Sequence, residues 1–255
     1  MTLGAVIDGE TVSLSDGRTL KLAGIQAPRL GAGRAKAWPL AGEARDGLAS
    51  MLAGRELRLG YGRVRIDRHG RVVAFLVIDN GASAQARMIE AGFARVAPTR
   101  DVRDCAGALL AAERRARAAK RGIWADPFYE VRMARDTAAL ERLEGSYQIV
   151  EGTVTTATAI RRRIYINFGD DWRQDFTVTV APADVKLFSG GPWAALMADM
   201  SALKGARIRV RGAIDRFNGP DIAVTAPEQI EFPGEGEDAA HESGNRTDPA
   251  KRPIR

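Results

Sequence analysis

Cysteine is almost absent from this chain of 255 residues: Cys105 stands alone. No intramolecular disulfide can form, and no cysteine-based metal site is available. On a helix, a lone cysteine reads as a small core residue. Histidine is nearly as scarce, with only His69 and His241, so a zinc site is not expected. No run of about 18 apolar residues occurs, which excludes a membrane-spanning helix and argues against a membrane partner. The first residues, Met1 to Val6, lack the basic start and apolar stretch of a signal peptide and lead straight into a strand-like segment. Read as it stands, the chain is expected in the cytoplasm; a true start further upstream would make it secreted or periplasmic.

What is present begins with a hydrophobic fraction of 45%, enough to bury a core, and 27 glycines, which suit strands, tight turns and bulges. The length allows one large domain or two ordinary ones. Charge is uneven: the first 126 residues hold 21 Lys and Arg against 13 Asp and Glu, a net of +8, whereas residues 127–233 and 234–255 each carry −1. The basic excess fits either a polyanion-binding surface or an ordinary arginine-rich solvated face.

Residues 4–14 and 18–25 alternate apolar and polar around Asp16-Gly17, which reads as a β-hairpin. Residues 41–53 have helical spacing, with Ala44, Leu48, Met51 and Leu52 on one face and Gly54 as a stop. Strand patterns follow from Glu56 to Ile66 and from Arg71 to Ile78, with a turn at Asp67 to Gly70 and an exit at Asn80-Gly81. Helices are expected over 83–91 and 103–121, closed by Gly122-Ile123-Trp124. A charged, helix-capable linker spans 126–145. A second unit then shows strands at 149–156, 163–168 and 175–180, a helix at 193–203, a strand at 207–214, and a last strand pair within 221–232 broken at Pro227. Both halves show the order of an OB barrel, so the expected class is mainly β with helices (α+β). The expected domains are 1–126, a linker 127–146, a second OB-like unit 147–233, and a disordered tail 234–255 poor in apolar residues.

Several ordered pieces carry a resemblance over residues 3–126. They are Asp8-Gly9-Glu10-Thr11-Val12, Leu22-Ala23-Gly24-Ile25 with Ala27-Pro28, Gly42-Glu43-Ala44, Asp67-Arg68-His69-Gly70-Arg71, Ala91-Gly92-Phe93-Ala94, and Ala112-Glu113 through Gly122-Ile123-Trp124. Together they resemble the staphylococcal (micrococcal) nuclease, or thermonuclease, family. That resemblance implies an OB barrel that hydrolyses DNA and RNA phosphodiesters with one calcium ion, two arginines and a glutamate. Calcium wants several oxygen ligands, mostly carboxylate, and the cations offset charge growing on the phosphate.

Carried over by position, the family's calcium carboxylates fall on Glu10 and Gln26, and its backbone ligand on Ala27. The first arginine falls on Lys21, which keeps charge but loses the bidentate fork. The general-base glutamate falls on Arg29, a reversal of charge, and the second arginine is retained as Arg71. The expectation is therefore a basic cleft in which Lys21, Arg29 and Arg71 bind a phosphate without metal, helped by Arg34 and Lys36. Any remaining calcium binding at Glu10, Gln26 and Ala27 would be weak. His69 reads as a surface turn histidine, Glu43 and Glu113 as capping or core-edge residues, and Trp124 as packing the last helix.

The second unit resembles the OB-like extension that follows nuclease-type domains in some bacterial proteins, through Glu151 to Val154, Ile164 to Gly169, Trp172 to Val178, Val210-Arg211-Gly212 and Gly219-Pro220. Alternation puts Ile164, Ile166, Phe168, Phe176, Val178 and Val180 in a core and Tyr165 outside it. Tyr165, Trp172 and Phe217, flanked by Arg161, Arg162, Arg163, Arg173, Arg209 and Arg211, could stack the bases of a single strand; alternatively Trp172 and Phe217 pack the barrel. The leading expectation is a nuclease-like protein with a degraded catalytic site that binds nucleic acid or a phosphorylated ligand. This is a role that degenerate copies of the domain have in the Tudor staphylococcal nuclease family. The alternatives are a weakly active calcium-dependent phosphodiesterase and a protein-interaction module.

Overall fold

The computed structural model describes residues 3–33, 36–78 and 81–234. The first unit opens on a three-strand meander, β1 (Leu3–Asp8), β2 (Thr11–Leu14) and β3 (Thr19–Leu22). The short strand β4 (Ile25–Gln26) and helix α1 (Ala41–Leu52) follow. Then come β5 (Leu57–Gly60), β6 (Val72–Ile78), β7 (Ala82–Ser83), α2 (Ala84–Glu90), β8 (Arg95–Val96) and α3 (Ala106–Ala118). The main sheet runs β1-β2-β3-β6-β5, with β3 and β6 parallel and the other neighbours antiparallel. That order is the OB order, and β4 pairs with β8 beside it. The edges β1 and β5 are left unpaired with each other among the described residues, and a groove of about 750 Å³ lies between them, lined by Leu3, Val6, Leu57 and Arg58 among others.

Alternation explains the core. Val12, Leu14, Leu20, Leu22, Val72, Ala74, Leu76 and Ile78 point inward and meet Ala44, Leu48 and Leu52 of α1 and Met88 and Ile89 of α2. Buried Gln85 ties α2 to β6: its Nε2 donates to the Ala74 carbonyl at 3.0 Å and its Oε1 accepts the Leu76 amide at 3.1 Å. Ser83 caps α2 through the amide of Ala86. The Gly92 and Gly122 motifs turn out to be one contact. A Cβ on Gly92 would stand 2.1 Å from the Arg121 carbonyl oxygen, and the Ile123 amide donates to the Gly92 carbonyl at 2.8 Å. Both glycines have positive φ, +74° and +52°, so neither the space nor the backbone admits a side chain.

The expected hairpin over 4–14 and 18–25 is three strands rather than two, because Gly9 and Glu10 form a turn. Cys105 is also placed differently from its expected core position: it stands at the N-cap position of α3, makes no side-chain capping bond and is exposed. Of the exit turn at Asn80-Gly81, Asn80 lies outside the described residues, as do residues 235–255 of the expected disordered tail.

Residues 127–146, read as a linker, carry β9 (Arg132–Met133) and α4 (Thr137–Glu141) and bury Tyr129, Val131, Ala134 and Leu140. The second unit continues with β10 (Tyr147–Thr153), β11 (Thr156–Ile160), β12 (Arg163–Asn167), β13 (Thr177–Val180), α5 (Pro192–Ala198), β14 (Arg207–Ala213), β15 (Asp215–Phe217), β16 (Gly219–Val224) and β17 (Ile230–Glu231). One sheet runs β17-β14-β10-β9 and the other β11-β12-β13-β16-β15, with β13 and β16 parallel. Only Val154 and Thr155 separate β10 from β11, and only Ile214 separates β14 from β15. Two bent strands therefore belong to both sheets, and the path returns to its start in OB order. The strands β11 and β15 were not anticipated. Ile164, Ile166, Phe176, Val178 and Val180 are core, as expected, and Phe168 packs against them.

The two cores are separate, and a largely polar seam joins them. Arg211 of β14 binds Glu113 of α3 and Glu231 of β17, and its Nη1 donates to the Val96 carbonyl at 3.0 Å. Tyr147 Oη donates to the same carbonyl at 2.9 Å. Further out, Arg103 pairs with Glu228 at 2.6 Å and Arg100 with Asp184 at 2.9 Å. Among the described residues no helix is long and apolar enough to cross a membrane.

Candidate functional site

The site starts from the turn between β1 and β2. Asp8 Oδ1 accepts the Glu10 amide at 2.8 Å and fixes the turn. Gly9 presses onto the scaffold there: a Cβ on it would stand 2.8 Å from Ala27 Cβ and 2.9 Å from Ala44 Cβ. The turn therefore throws the Glu10 side chain towards β3 and β4. Its Oε2 accepts the Ala27 amide at 2.9 Å, and its Oε1 lies 2.7 Å from Lys21 Nζ and 3.4 Å from Gln26 Nε2. Lys21 Nζ also donates to the Ile25 carbonyl at 3.4 Å, and Gln26 Nε2 to the Ala27 carbonyl at 3.1 Å. Glu10, Lys21, Gln26 and Ala27 thus form one polar cluster, with the lysine ammonium against the carboxylate.

Lys21 lies beside Val73 in the parallel pair of β3 and β6. Strand alternation puts Arg71, two residues earlier, on the same side of the sheet. Arg71 has a carboxylate of its own. Asp67 Oδ2 receives its Nε and Nη2, both at 2.7 Å, while Oδ1 accepts the His69 and Arg71 amides, both at 2.9 Å. Burial alone would raise the Asp67 pKa, but the backbone and side-chain bonds of Arg71, with the His69 amide, hold it below the usual carboxylate range.

Arg29 is exposed and lies over the ring of Trp38, its guanidinium carbon 5.1 Å from the centroid. Lys36 is exposed, and Arg34 lies outside the described residues. The three cations expected around one anion therefore each have a neighbour: Lys21 has Glu10, Arg71 has Asp67 and Arg29 has Trp38. His69 is an exposed turn residue accepting from Arg68, Glu43 is exposed in the first turn of α1, and Trp124 lies under Arg117 of α3. Glu113 is buried, but its partner is Arg211 of the second unit rather than a neighbour in its own core edge.

Sequence reasoning missed Arg95. It stands opposite Gln26 in the β4–β8 pair and is 1% exposed. Its guanidinium faces three rings, Tyr129 at 5.2 Å, Tyr147 at 5.4 Å and Trp38 at 6.0 Å. Burial lowers its pKa to about 10, partly offset by Tyr147 and Glu113, so it remains a cation at neutral pH. The available signal was an arginine set between apolar residues in Phe93-Ala94-Arg95-Val96.

In the second unit, Tyr165 is half-buried on the outer face of β12, while Trp172 and Phe217 are 50% and 65% exposed. The alternative that these two pack the barrel is thereby set aside. Arg161, Arg162 and Arg173 are exposed beside them. Arg209 and Arg211 are not part of that surface: they are buried, Arg209 against Glu151 of β10 at 2.6 Å and Arg211 against Glu113 of α3 and Glu231 of β17.

Residues 19–126 match the family model described as Staphylococcal nuclease homologue. No curated protein matches the chain. The match begins at Thr19 and leaves out the Glu10 turn, which the β1-β2-β3 meander nonetheless joins to the same sheet. Residues 19–126 are accordingly similar to the staphylococcal nuclease homologue family, within an α+β chain of OB-like architecture.

Proposed function

We propose that this protein binds nucleic acid, or another phosphate-bearing ligand, through the basic outer face of its first unit, without calcium and without cleaving it. The observation that carries this reading is the Glu10–Lys21 pair. A calcium ion asks for six to eight oxygens, mostly from carboxylates. Here both Glu10 oxygens are engaged, one by Lys21 at 2.7 Å and the other by the Ala27 amide at 2.9 Å. Gln26 turns an amide donor, not an acceptor, toward the carboxylate. The lysine thus supplies internally the positive charge that a metal would bring. These residues do not fit calcium.

Arg29 stands where the family's general base would be, and its positive charge cannot activate water. It can meet a phosphate oxygen, as can Lys36 and the Nη1 side of Arg71, which lies outside the Asp67 pair. The net +8 of the first 126 residues adds a long-range attraction.

The test is incubation of labelled single-stranded DNA and RNA with the full chain, with calcium and with EDTA, beside an Arg71→Ala control. Binding in EDTA that weakens as salt rises, with the strand left intact, is expected. Engagement of three phosphates corresponds to a log–log salt slope of about −2. Cleavage that needs calcium and is lost in Arg71→Ala would overturn the reading, as would binding indifferent to salt.

A further inference from the structure

The outer face of the second unit carries a cleft of about 340 Å³. Its floor follows from strand register. Thr156, Asn167, Thr177 and Asp221 lie side by side across β11, β12, β13 and β16. They form a polar ladder: Thr177 Oγ1 donates to Asn167 Oδ1 and Asn167 Nδ2 to Thr156 Oγ1, each at 3.1 Å. The next row brings Tyr165 beside Thr179, which hydrogen-bonds Asp221. The walls are apolar and stand free: Ile160, Trp172 and Phe217 are 58%, 50% and 65% exposed. Three aromatic side chains, Tyr165, Trp172 and Phe217, line the cleft around this polar floor.

The rim is cationic. Arg161 and Arg162 turn the chain from β11 into β12 in left-handed conformations, φ 49° and 66°, next to Ile160. Arg173 lies over one face of the Trp172 indole at 4.4 Å, leaving the other face for a ring. Arg216 precedes Phe217 and is exposed. Aromatic walls with arginines at the rim are what a single strand requires, bases stacked and phosphates at the edge. The floor narrows the choice further. Asp221 is 6% exposed, and a desolvated carboxylate accepts hydrogen bonds and repels lone pairs. Thr179 already donates to this carboxylate, and its remaining acceptor capacity faces the cleft.

We infer that this cleft holds an unpaired, amino-bearing nucleobase of a single strand, stacked on Trp172, Tyr165 and Phe217 with its amino group toward Asp221. Thymine and uracil, which flank their one ring N–H with two carbonyls, fit this floor less well. The site is distinct from the Lys21, Arg29 and Arg71 face, so it can be tested with that face altered.

The experiment measures binding of the full chain to octamers of dA, dC and dT, and to an abasic octamer of equal charge, by anisotropy and by quenching of tryptophan emission. The dA and dC octamers are expected to bind about tenfold tighter than dT and to quench. Phe217→Ala, a change at an exposed side chain, should lower affinity for them about 5- to 100-fold, the scale of base–aromatic stacking, and leave the abasic strand unaffected. Asp221→Asn should narrow the gap to dT. In a Lys21→Ala/Arg29→Ala background all four strands should weaken together while the base preference survives. Equal binding of abasic and base-bearing strands, with salt sensitivity kept, would overturn this inference and leave the phosphate-binding reading standing. Binding of none of the strands would overturn both. A cleft that instead takes tetramethylammonium, with quenching lost in Phe217→Ala and no base preference, would reassign it to cationic side chains and overturn the inference.

Discussion

Replacing Arg211 by methionine is expected to be among the most damaging single changes in this chain. The side chain is 1% exposed and meets two carboxylates, Glu113 and Glu231. Burial would lower its pKa, but the two carboxylates outweigh burial and hold the guanidinium firmly charged. In Arg211→Met, Glu113 is left at 1% exposure without the guanidinium that binds it, and Glu231 loses one of its ion pairs while keeping the more exposed Arg114 at 3.1 Å. Breaking a buried ion pair from one side costs about 3–5 kcal/mol. At roughly 2–4 °C per kcal/mol for a chain of this size, Tm should fall by about 8–15 °C. The paired change Arg211→Met with Glu113→Met removes both desolvated charges and should recover most of the loss, giving a coupling of about 2 kcal/mol or more. Thermal denaturation of the four proteins measures the cycle. A fall of less than about 3 °C in the single variant, or strict additivity in the double, would refute the view that the seam is held by this network.

Other outcomes follow from the same geometry. Millimolar calcium should leave Tm unchanged in the wild type, whereas Lys21→Arg with Gln26→Asp and Arg29→Glu should show a calcium-dependent rise, read by thermal shift. Gly92→Ala should cost about 3 kcal/mol or more and reduce the folded yield, since its Cβ would meet the Arg121 carbonyl at 2.1 Å; chemical denaturation checks this. The depressed pKa of Asp67 contributes stability that is present above its unfolded value, near 3.8, and is lost as pH falls through the folded value. The Tm difference between wild type and Arg71→Gln should therefore be constant near neutrality and shrink below about pH 4.

Much of this fold was legible because alternation and helical spacing report which face of an element is covered. Leu20, Leu22, Val72, Ala74, Ile164 and Ile166 declared their side, and Gly54, Gly92 and Gly122 marked real boundaries. What covers a face was not legible. Arg209 and Arg211 alternate with Ile208 and Val210 as a solvated strand face would, yet both are buried against carboxylates, Arg209 against Glu151 of β10 and Arg211 against Glu113 of α3 and Glu231 of β17. Strand β11 went unseen because it faces outward along most of its length, and β15 because three exposed residues carry no apolar rhythm. At the site, the family positions did converge on Glu10, Lys21, Gln26 and Ala27. Their pairing within the cluster was hidden, since residue type fixes charge but not which neighbour neutralises it. Arg95 was hidden for the same reason: its surroundings are rings from three distant segments.

The Arg211 seam has a consequence for how this chain can be taken apart. A sequence match that ends at residue 126 invites the view that the nuclease-like unit is a detachable module. Severed there, it would keep Glu113 and the Val96 carbonyl but lose Arg211 and Tyr147, which satisfy them. It would also lose Tyr129, whose hydroxyl holds the Pro39 carbonyl at 2.6 Å just ahead of α1. The unit of inheritance and the unit of folding therefore need not coincide in this protein. Swapping either half for a homologous one would succeed only where the counter-charges travel with it.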